Sequence, residues 1–300
     1  MISEESKLAC WLLGEIHNSV SLQVPRDSIM TPGLLSEYDR GLFRKYILPD
    51  TPLSSSDEIA DITSPQLLRR IMMKKLQLYN EHMMKIYSNI STDRVKIEVQ
   101  LCLGDQSPLE TSLTYGDIDT NSFVNMLIRC SPRQGEVFVD LGRHYFPCIV
   151  WSPSEFIGSG TGRAVVAASL LFGDILNRAH GIELLPVLHS YAVQSIEAMS
   201  AILEAADLKT LQTSVTTVEQ ADFLENCEFD WTQAGIVFIN STCFSDSLMH
   251  QLQSKSEKLR RGARVMTLTK HFNSTSFRIV DMVNYTMSWG LATCYFHQKQ

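Results

Sequence analysis

The sequence lacks any apolar run near the roughly 18 residues that a membrane span needs. It is also short of positive charge, with Lys+Arg 26 against Asp+Glu 33 and a net charge of -7. That balance argues against a broad basic face riding on nucleic acid, so any DNA contact has to come from a local patch. The opening Met1-Ile-Ser-Glu-Glu carries acids where a secretory leader carries bases. Cysteine is present at Cys10, Cys102, Cys130, Cys148, Cys227, Cys243 and Cys294, but never in the C-x-x-C spacing of a zinc site or redox pair. Scattered and odd in number, these thiols point to a reducing compartment. There is no internal repeat, no H-E-x-x-H and no Ser-His-Asp order, and the eight histidines are dispersed. The expectation is a soluble, intracellular protein with no metal and no membrane partner.

What is present suffices for a large core. The 300 residues are 44% hydrophobic, 9% aromatic and 20% charged, which excludes a disordered chain, a collagen-like repeat and a disulfide-stapled miniature.

The first part reads as helices broken by loops. Glu5 to Ser19 has apolar residues at helical spacing, Asp50-Thr-Pro-Leu-Ser-Ser-Ser-Asp is a turn-rich break, and Ser64-Pro65 opens a second helix. From Pro65 to Tyr87, Leu67, Leu68, Ile71, Met72, Leu76, Leu78, Tyr79, Met83 and Met84 form an amphipathic pattern beside Arg69, Arg70, Lys74 and Lys75. A methionine stripe like this is usually core. After about Glu136, short apolar strands alternate with helical stretches, the pattern of βαβ units and a parallel sheet. Strands are expected at Val137–Asp140, His180–Glu183, Thr216–Asp222, Gly235–Asn240 and Ala263–Leu268, with helices at about Arg163–Phe172, Leu184–Ala206 and Ser245–Leu259. Such a doubly wound sheet takes its ligand beyond the carboxyl ends of the strands, near the first one.

The first strand ends Val137-Phe-Val-Asp140-Leu-Gly142, and Gly158-Ser159-Gly160-Thr161-Gly162-Arg163 resumes a glycine-rich loop ahead of a helix. Glycines let the backbone approach a ligand, and helix-start amides offer donors. The dinucleotide fingerprint wants a glycine at position 163, which is Arg, while the third glycine comes early at Gly162. A GxGxG loop after an acid-ended strand fits S-adenosylmethionine better than NAD. Glu183 ends the next strand, where either cofactor class places a carboxylate for ribose hydroxyls; an isolated strand-end acid is often merely solvated. Asp222-Phe223 supplies a carboxylate for an adenine amine and a ring face, although a helix cap and a core Phe would use the same residues. Asn240 ends the strand at which this class of methyltransferase meets its acceptor. The run Asn240-Ser-Thr-Cys-Phe244 lacks the Pro-Pro of the nucleic-acid amino methyltransferases.

The order of these motifs, with Tyr115-Gly116-Asp117 ahead of them, Gly181-Ile182-Glu183 and Asp222-Phe223-Leu224 within and Ser288-Trp289 behind, resembles the disruptor-of-telomeric-silencing family, the non-SET histone-lysine methyltransferases. The likeness runs from roughly Met84 to His297, since Ile86-Tyr-Ser-Asn-Ile-Ser-Thr-Asp93 is similar to the family's segment ahead of the catalytic sheet. The Tyr-Gly-acid element, with Asn240 and Phe244, is its narrowest part. The resemblance implies a class I S-adenosylmethionine-dependent methyltransferase, a Rossmann-like α/β sheet at residues 113–300 behind a helical N-terminal lobe at 1–112. It implies S-adenosylmethionine held by Tyr115, Gly116, Asp117, Ile118, Asp140, Gly142, the loop Gly158 to Arg163, Glu183, Asp222 and Phe223. By the same resemblance, Asn240 would take the catalytic position by the methionine end and the transfer point, and Phe244 and a C-terminal aromatic would wall a lysine channel; the shortened spacing after Trp289 leaves Tyr295 or Phe296 for that role, with Tyr295 favoured.

The implied acceptor is a lysine of histone H3 on the nucleosome core surface, and the implied compartment is the nucleus. RNA or another protein as acceptor, or a catalytically inactive chromatin-binding relative, are the alternatives. Docking on nucleosomal DNA would fall to local basic clusters, Lys255, Lys258, Arg260, Arg261 and Arg264, or Arg69, Arg70, Lys74 and Lys75, although such clusters are more often solvated faces.

One departure stands out. The family's loop runs Asp-Leu-Gly-Ser-Gly-x-Gly without interruption, whereas here residues 143–158 separate Gly142 from Ser159. A retained short intron is the leading explanation, because a split glycine codon would rejoin cleanly; a lid over the site and an inactivating insert are the other two.

Overall fold

The computed structural model describes residues 65–103, 118–141, 160–206, 214–225 and 227–300. The expected helix at Glu5 to Ser19, Tyr115 to Asp117, Gly142, residues 143–158 and Ser159 lie outside them. Three helices come first: α1 (Pro65–Ile86), α2 (Thr92–Leu103) and α3 (Thr120–Cys130). The alternating part follows as β1 (Val137–Leu141), α4 (Arg163–Phe172), β2 (Arg178–Glu183), α5 (Pro186–Ala205), β3 (Val215–Gln220), β4 (Ile236–Ile239), α6 (Asp246–Ser256) and β5 (Arg264–Leu268), closed by β6 (Phe277–Met287) and β7 (Gly290–Lys299).

Local chemistry sets the helix starts. The Asp119 carboxylate accepts from the Ser122 N–H at 2.8 Å to cap α3, and Ser245 accepts from the Leu248 N–H at 3.2 Å to cap α6. Pro186 opens α5, where a missing N–H costs nothing.

The sheet order is β3-β2-β1-β4-β5-β7-β6. All neighbouring pairs from β3 to β5 are parallel, while β7 runs antiparallel to both β5 and β6. This is the doubly wound, Rossmann-like sheet expected from the sequence, extended by an antiparallel hairpin, and the chain reverses direction of travel across it between β1 and β4. A ligand crevice opens at such a switch point.

Strand alternation divides the core between two faces. Phe138, Ala179, Phe238, Met266, Cys294 and Phe296 point to the side covered by α3, α4 and α5. Val139, Leu141, Ile182, Val237, Ile239 and Val265 point to the other, under Leu248, Met249 and Leu252 of α6. The described side chains of α1 and Tyr87 join the first face, since Leu76, Leu78, Tyr79, Met83, Ile86 and Tyr87 share its cluster, while Val95 and Val99 of α2 pack with Leu185 and Leu188. The methionine stripe is therefore core at Met83, but Met84 is 68% exposed.

The expected strands and helices form within a residue or two of their bounds, except that α6 stops at Ser256. The sequence reading did not anticipate α2, α3 or the β6–β7 hairpin.

Candidate cofactor and acceptor site

The carboxyl ends of β1 and β2 bring two acids together. Asp140 lies opposite Gly181, and Glu183 ends β2 two residues further on. Asp140 is 2% exposed and Glu183 is fully buried. Burial, and then the neighbouring Glu183 charge, push the Asp140 carboxyl well above the usual carboxylate range. Both Glu183 oxygens hold backbone: Oε2 accepts from the Gly160 N–H at 3.0 Å and Oε1 from the Leu185 N–H at 2.9 Å.

Gly160 and Gly162 have φ of 60° and 80°, a left-handed backbone that glycine adopts without strain. At Gly162 a Cβ would also meet Ala192 Cβ at 3.2 Å, so the residue must be glycine both to turn and to pack. The turn is braced from α1's end, where the Tyr87 hydroxyl donates to the Thr161 carbonyl at 3.2 Å. The Arg163 guanidinium lies 4.1 Å from the Tyr87 ring centroid. Ile118, just before α3, packs against the same core.

Beyond β3, Asp222 Oδ1 accepts from the Leu224 N–H at 2.8 Å. Phe223 is fully buried and stacks loosely on Phe244, with ring centroids 6.3 Å apart and planes at 19°. Its carbonyl accepts from Trp231 Nε1 at 2.8 Å and from Lys255 Nζ. Of the plainer reading of these two residues the core ring is present, whereas the Asp222 carboxylate caps a turn rather than a helix.

At the ends of β4 and β5, Asn240 is 6% exposed and its Oδ1 accepts from the Thr242 hydroxyl at 2.9 Å. Phe244 is buried in the α6-side core. Tyr295, opposite Thr267, is partly exposed on that face, with its ring 5.1 Å from that of His271. It lines a cavity of about 440 Å³ with Asp246, His250, Lys270 and His271 among others. Phe296 is 4% exposed and packed in the opposite core.

The structure therefore groups Gly160, Thr161, Gly162, Arg163, Asp140 and Glu183 at one locus, and Asn240 with Tyr295 along the same sheet edge, two strands or roughly 10 Å apart. The basic cluster is not part of this edge. Arg264 opens β5 and is buried, bonding Glu136 as Arg260 does, and Lys255 lies 5.5 Å from the Trp231 ring centroid. Only Lys258 and Arg261 of that cluster are exposed with no ion pair among the described residues. Side chains of Arg69, Arg70, Lys74 and Lys75 lie outside the described residues. Sequence reading missed Tyr87, Thr242, Thr269 and His271. The spacing Asn-x-Thr marks Thr242 as able to reach back to Asn240, but nothing local joins either to Thr269.

Among the described residues no cluster of His, Cys, Asp and Glu could hold a metal ion, and no helix is long and apolar enough to cross a membrane. A family model described as histone methylation protein DOT1 matches residues 108–288. No curated protein matches the chain. Among solved structures, TrmN from Thermus thermophilus is similar at 14% identity over 62% of this chain and 50% of that one, with a TM-score of 0.43. The chain thus spans about half the length of that protein. The rRNA methyltransferase aviRa from Streptomyces viridochromogenes is similar at 10% identity over 63% and 88% of the two chains, with a TM-score of 0.45. A geranyl diphosphate methyltransferase in complex with SAM is similar at 12% identity over 60% and 85%, with a TM-score of 0.40.

Proposed function

The chain belongs to the histone methylation protein DOT1 family, an S-adenosylmethionine-dependent methyltransferase family, and from that premise we propose that it methylates a lysine ε-amine of histone H3 on the nucleosome core surface. The observation that carries this reading is the family match over residues 108–288, which spans the glycine turn, both acids, Asn240 and Phe244. Action at chromatin in the nucleus follows from the same reading, with residues 113–300 as the catalytic unit and 1–112 as a helical lobe behind it.

The described cradle suits the cofactor chemically. At Asp140, burial and the neighbouring Glu183 charge disfavour ionisation, so a ligand carrying positive charge is welcome there. Glu183, whose two oxygens already anchor the Gly160 and Leu185 N–H groups, is the strand-end carboxylate for the ribose hydroxyls. Ile118, the loop from Gly158 to Arg163 and, beyond the described residues, Tyr115 to Asp117 and Gly142 complete the set. Asp222 and Phe223 take the adenine end.

S-adenosylmethionine supplies a methyl group on a sulfonium. When bound, it would offer that methyl to a lysine nitrogen lone pair in line with the departing sulfur, and the chain's part would be to hold the two in line while the product amine's proton passes to solvent. The acceptor must be neutral, although a free lysine has a pKa of about 10.4. Phe244 and Tyr295 serve this requirement by desolvating the amine, which lowers its pKa. Asn240 holds the reacting end at the carboxyl edge of β4, and the remaining rate comes from proximity, with reacting atoms held roughly 3 to 3.5 Å apart.

The test is transfer of labelled methyl from S-adenosylmethionine to nucleosomes, free histones and RNA, with this chain beside a version lacking residues 143–158. Label on histone H3 in nucleosomes supports the proposal. Label on RNA alone reassigns the acceptor, and no label with either version points to a non-enzymatic chromatin-binding relative.

A further inference from the structure

Two tight turns face each other at the carboxyl ends of β4 and β5. The Ser241 N–H donates to the Ile239 carbonyl at 2.9 Å, closing a three-residue turn on Asn240, and the Lys270 N–H donates to the Leu268 carbonyl at 2.7 Å, closing another on Thr269. Thr269 has a φ of 66°. A γ-turn centred on a positive φ is the rare, strained form, and a β-branched residue there is a genuine outlier. Such a conformation persists only where the surroundings over-determine it, and it gathers at functional sites.

Here the surroundings are hydroxyls and backbone from both neighbouring strands. Ser241 Oγ donates to the Leu268 carbonyl at 2.6 Å, and the Thr269 N–H donates to the Thr293 carbonyl at 2.7 Å. Those two bonds clamp the end of β5 without the Thr269 side chain. Its hydroxyl instead donates to Thr242 Oγ1 at 3.2 Å, and the Thr242 hydroxyl donates to Asn240 Oδ1 at 2.9 Å. The relay has one direction, from Thr269 through Thr242 to the amide oxygen. An amide whose oxygen is taken in this way presents its NH2 as the free donor.

We propose that Thr242 and Thr269 are positioning residues: their hydroxyl relay fixes the Asn240 amide with Nδ2 turned toward the transfer point, and the strained turn keeps the Thr269 hydroxyl aimed at Thr242. The inference rests on the reading of Asn240 as the group beside the cofactor's methionine end. It assigns a functional purpose to strain that packing alone does not require, since glycine would adopt the same turn at ease.

The test compares Thr242→Val and Thr269→Gly, which remove the hydroxyls, with Thr242→Ser and Thr269→Ser, which keep them. Three readouts are taken: calorimetric affinity for S-adenosylmethionine, the 15N side-chain amide signal of Asn240, and the melting temperature. Both hydroxyl-less variants are expected to bind about tenfold more weakly and to shift the Asn240 amide signal, while the serine variants stay near the parent. Thr269→Gly is expected to melt at or above the parent temperature, so lost binding cannot be lost stability. Parent-like affinity in both hydroxyl-less variants overturns the positioning role. If the parent chain itself binds no S-adenosylmethionine, the functional reading of Asn240 fails, and the amide signal alone decides the relay: a shift in Thr242→Val that Thr242→Ser reverses upholds it, and an unmoved signal overturns it.

Discussion

Replacing Glu183 by glutamine leaves the Gly160 and Leu185 N–H groups facing an amide with one accepting oxygen instead of two. At this buried site that change is expected to weaken S-adenosylmethionine binding by about tenfold or more, because hydrogen bonds to charged acceptors are the stronger kind. Calorimetric titration of the Glu183→Gln variant checks it, and parent-like affinity would remove Glu183 from the cradle. His297 carries a different prediction. Burial, and then the neighbouring His271, push its pKa down to about 4, while its Nε2 shares a hydrogen bond with the Thr267 hydroxyl at 3.1 Å. Between the ordinary histidine value of 6.5 and about 4 the unfolded chain takes up a proton that the folded chain refuses. Stability is therefore full above that window and falls by about 3 kcal/mol as pH drops through it. Urea unfolding at a series of pH values should show this slope in the parent and lose it in His297→Phe, whose ring has Phe272 and Phe277 as neighbours. At this scale the sequence reading found the acids and glycines because strand ends and glycine spacing mark them. Thr242 and Thr269 escaped it, because a relay across two strand ends has no signature within either segment.

Among the elements, the junction of α3, β1 and β5 is tied by one buried carboxylate. Glu136 accepts from Arg264 through both oxygens, from Arg260 at 2.8 Å and from the Arg133 N–H at 3.0 Å. Burial alone would raise the Glu136 carboxyl, but Arg264, with help from Arg133 and Arg260, overrides it and holds it below the usual range. The contribution is present above the ordinary glutamate pKa and is lost as pH falls through the depressed one. Glu136→Gln is expected to cost roughly 3–5 kcal/mol, the cost of leaving a buried charge without its partner, measured by urea unfolding at neutral pH. Gly235 belongs to the same device, since a Cβ there would lie 2.5 Å from Arg260 and 2.8 Å from Glu136. Most strands and helices of the alternating half were legible because buried parallel strands read as short apolar runs between glycines and helix caps. The β6–β7 hairpin was not drawn from the sequence, as its outward residues Ile279, Val280, Met282 and Leu291 are apolar yet exposed and blur the alternation. The hairpin's register is what separates Tyr295 from Phe296: spacing after Trp289 left both open, and pairing with β5 turns Tyr295 toward the cavity beside His271 and Phe296 into the core.

For the whole molecule, the acid excess visible in composition is joined by the use of two of the five basic residues of the described cluster, Arg260 and Arg264, in ion pairs with Glu136 at the amino end of β5. Any nucleosome contact by this chain is therefore expected to depend weakly on salt compared with a protein that binds through many phosphate contacts, which binding to nucleosomes at two salt concentrations would check. The fold class and the family followed from motif order. The acceptor, a lysine of histone H3, came from the resemblance alone, and in the proposal it would be selected by the shape beside Asn240 and Tyr295. The most direct test of the proposed activity is tandem mass spectrometry of nucleosomes incubated with S-adenosylmethionine and the chain, with and without residues 143–158, using Asn240→Ala as the control. The account predicts methyl groups on a lysine of the histone H3 core, lost with Asn240→Ala. Methylation confined to another residue type, or none with either version, would contradict it.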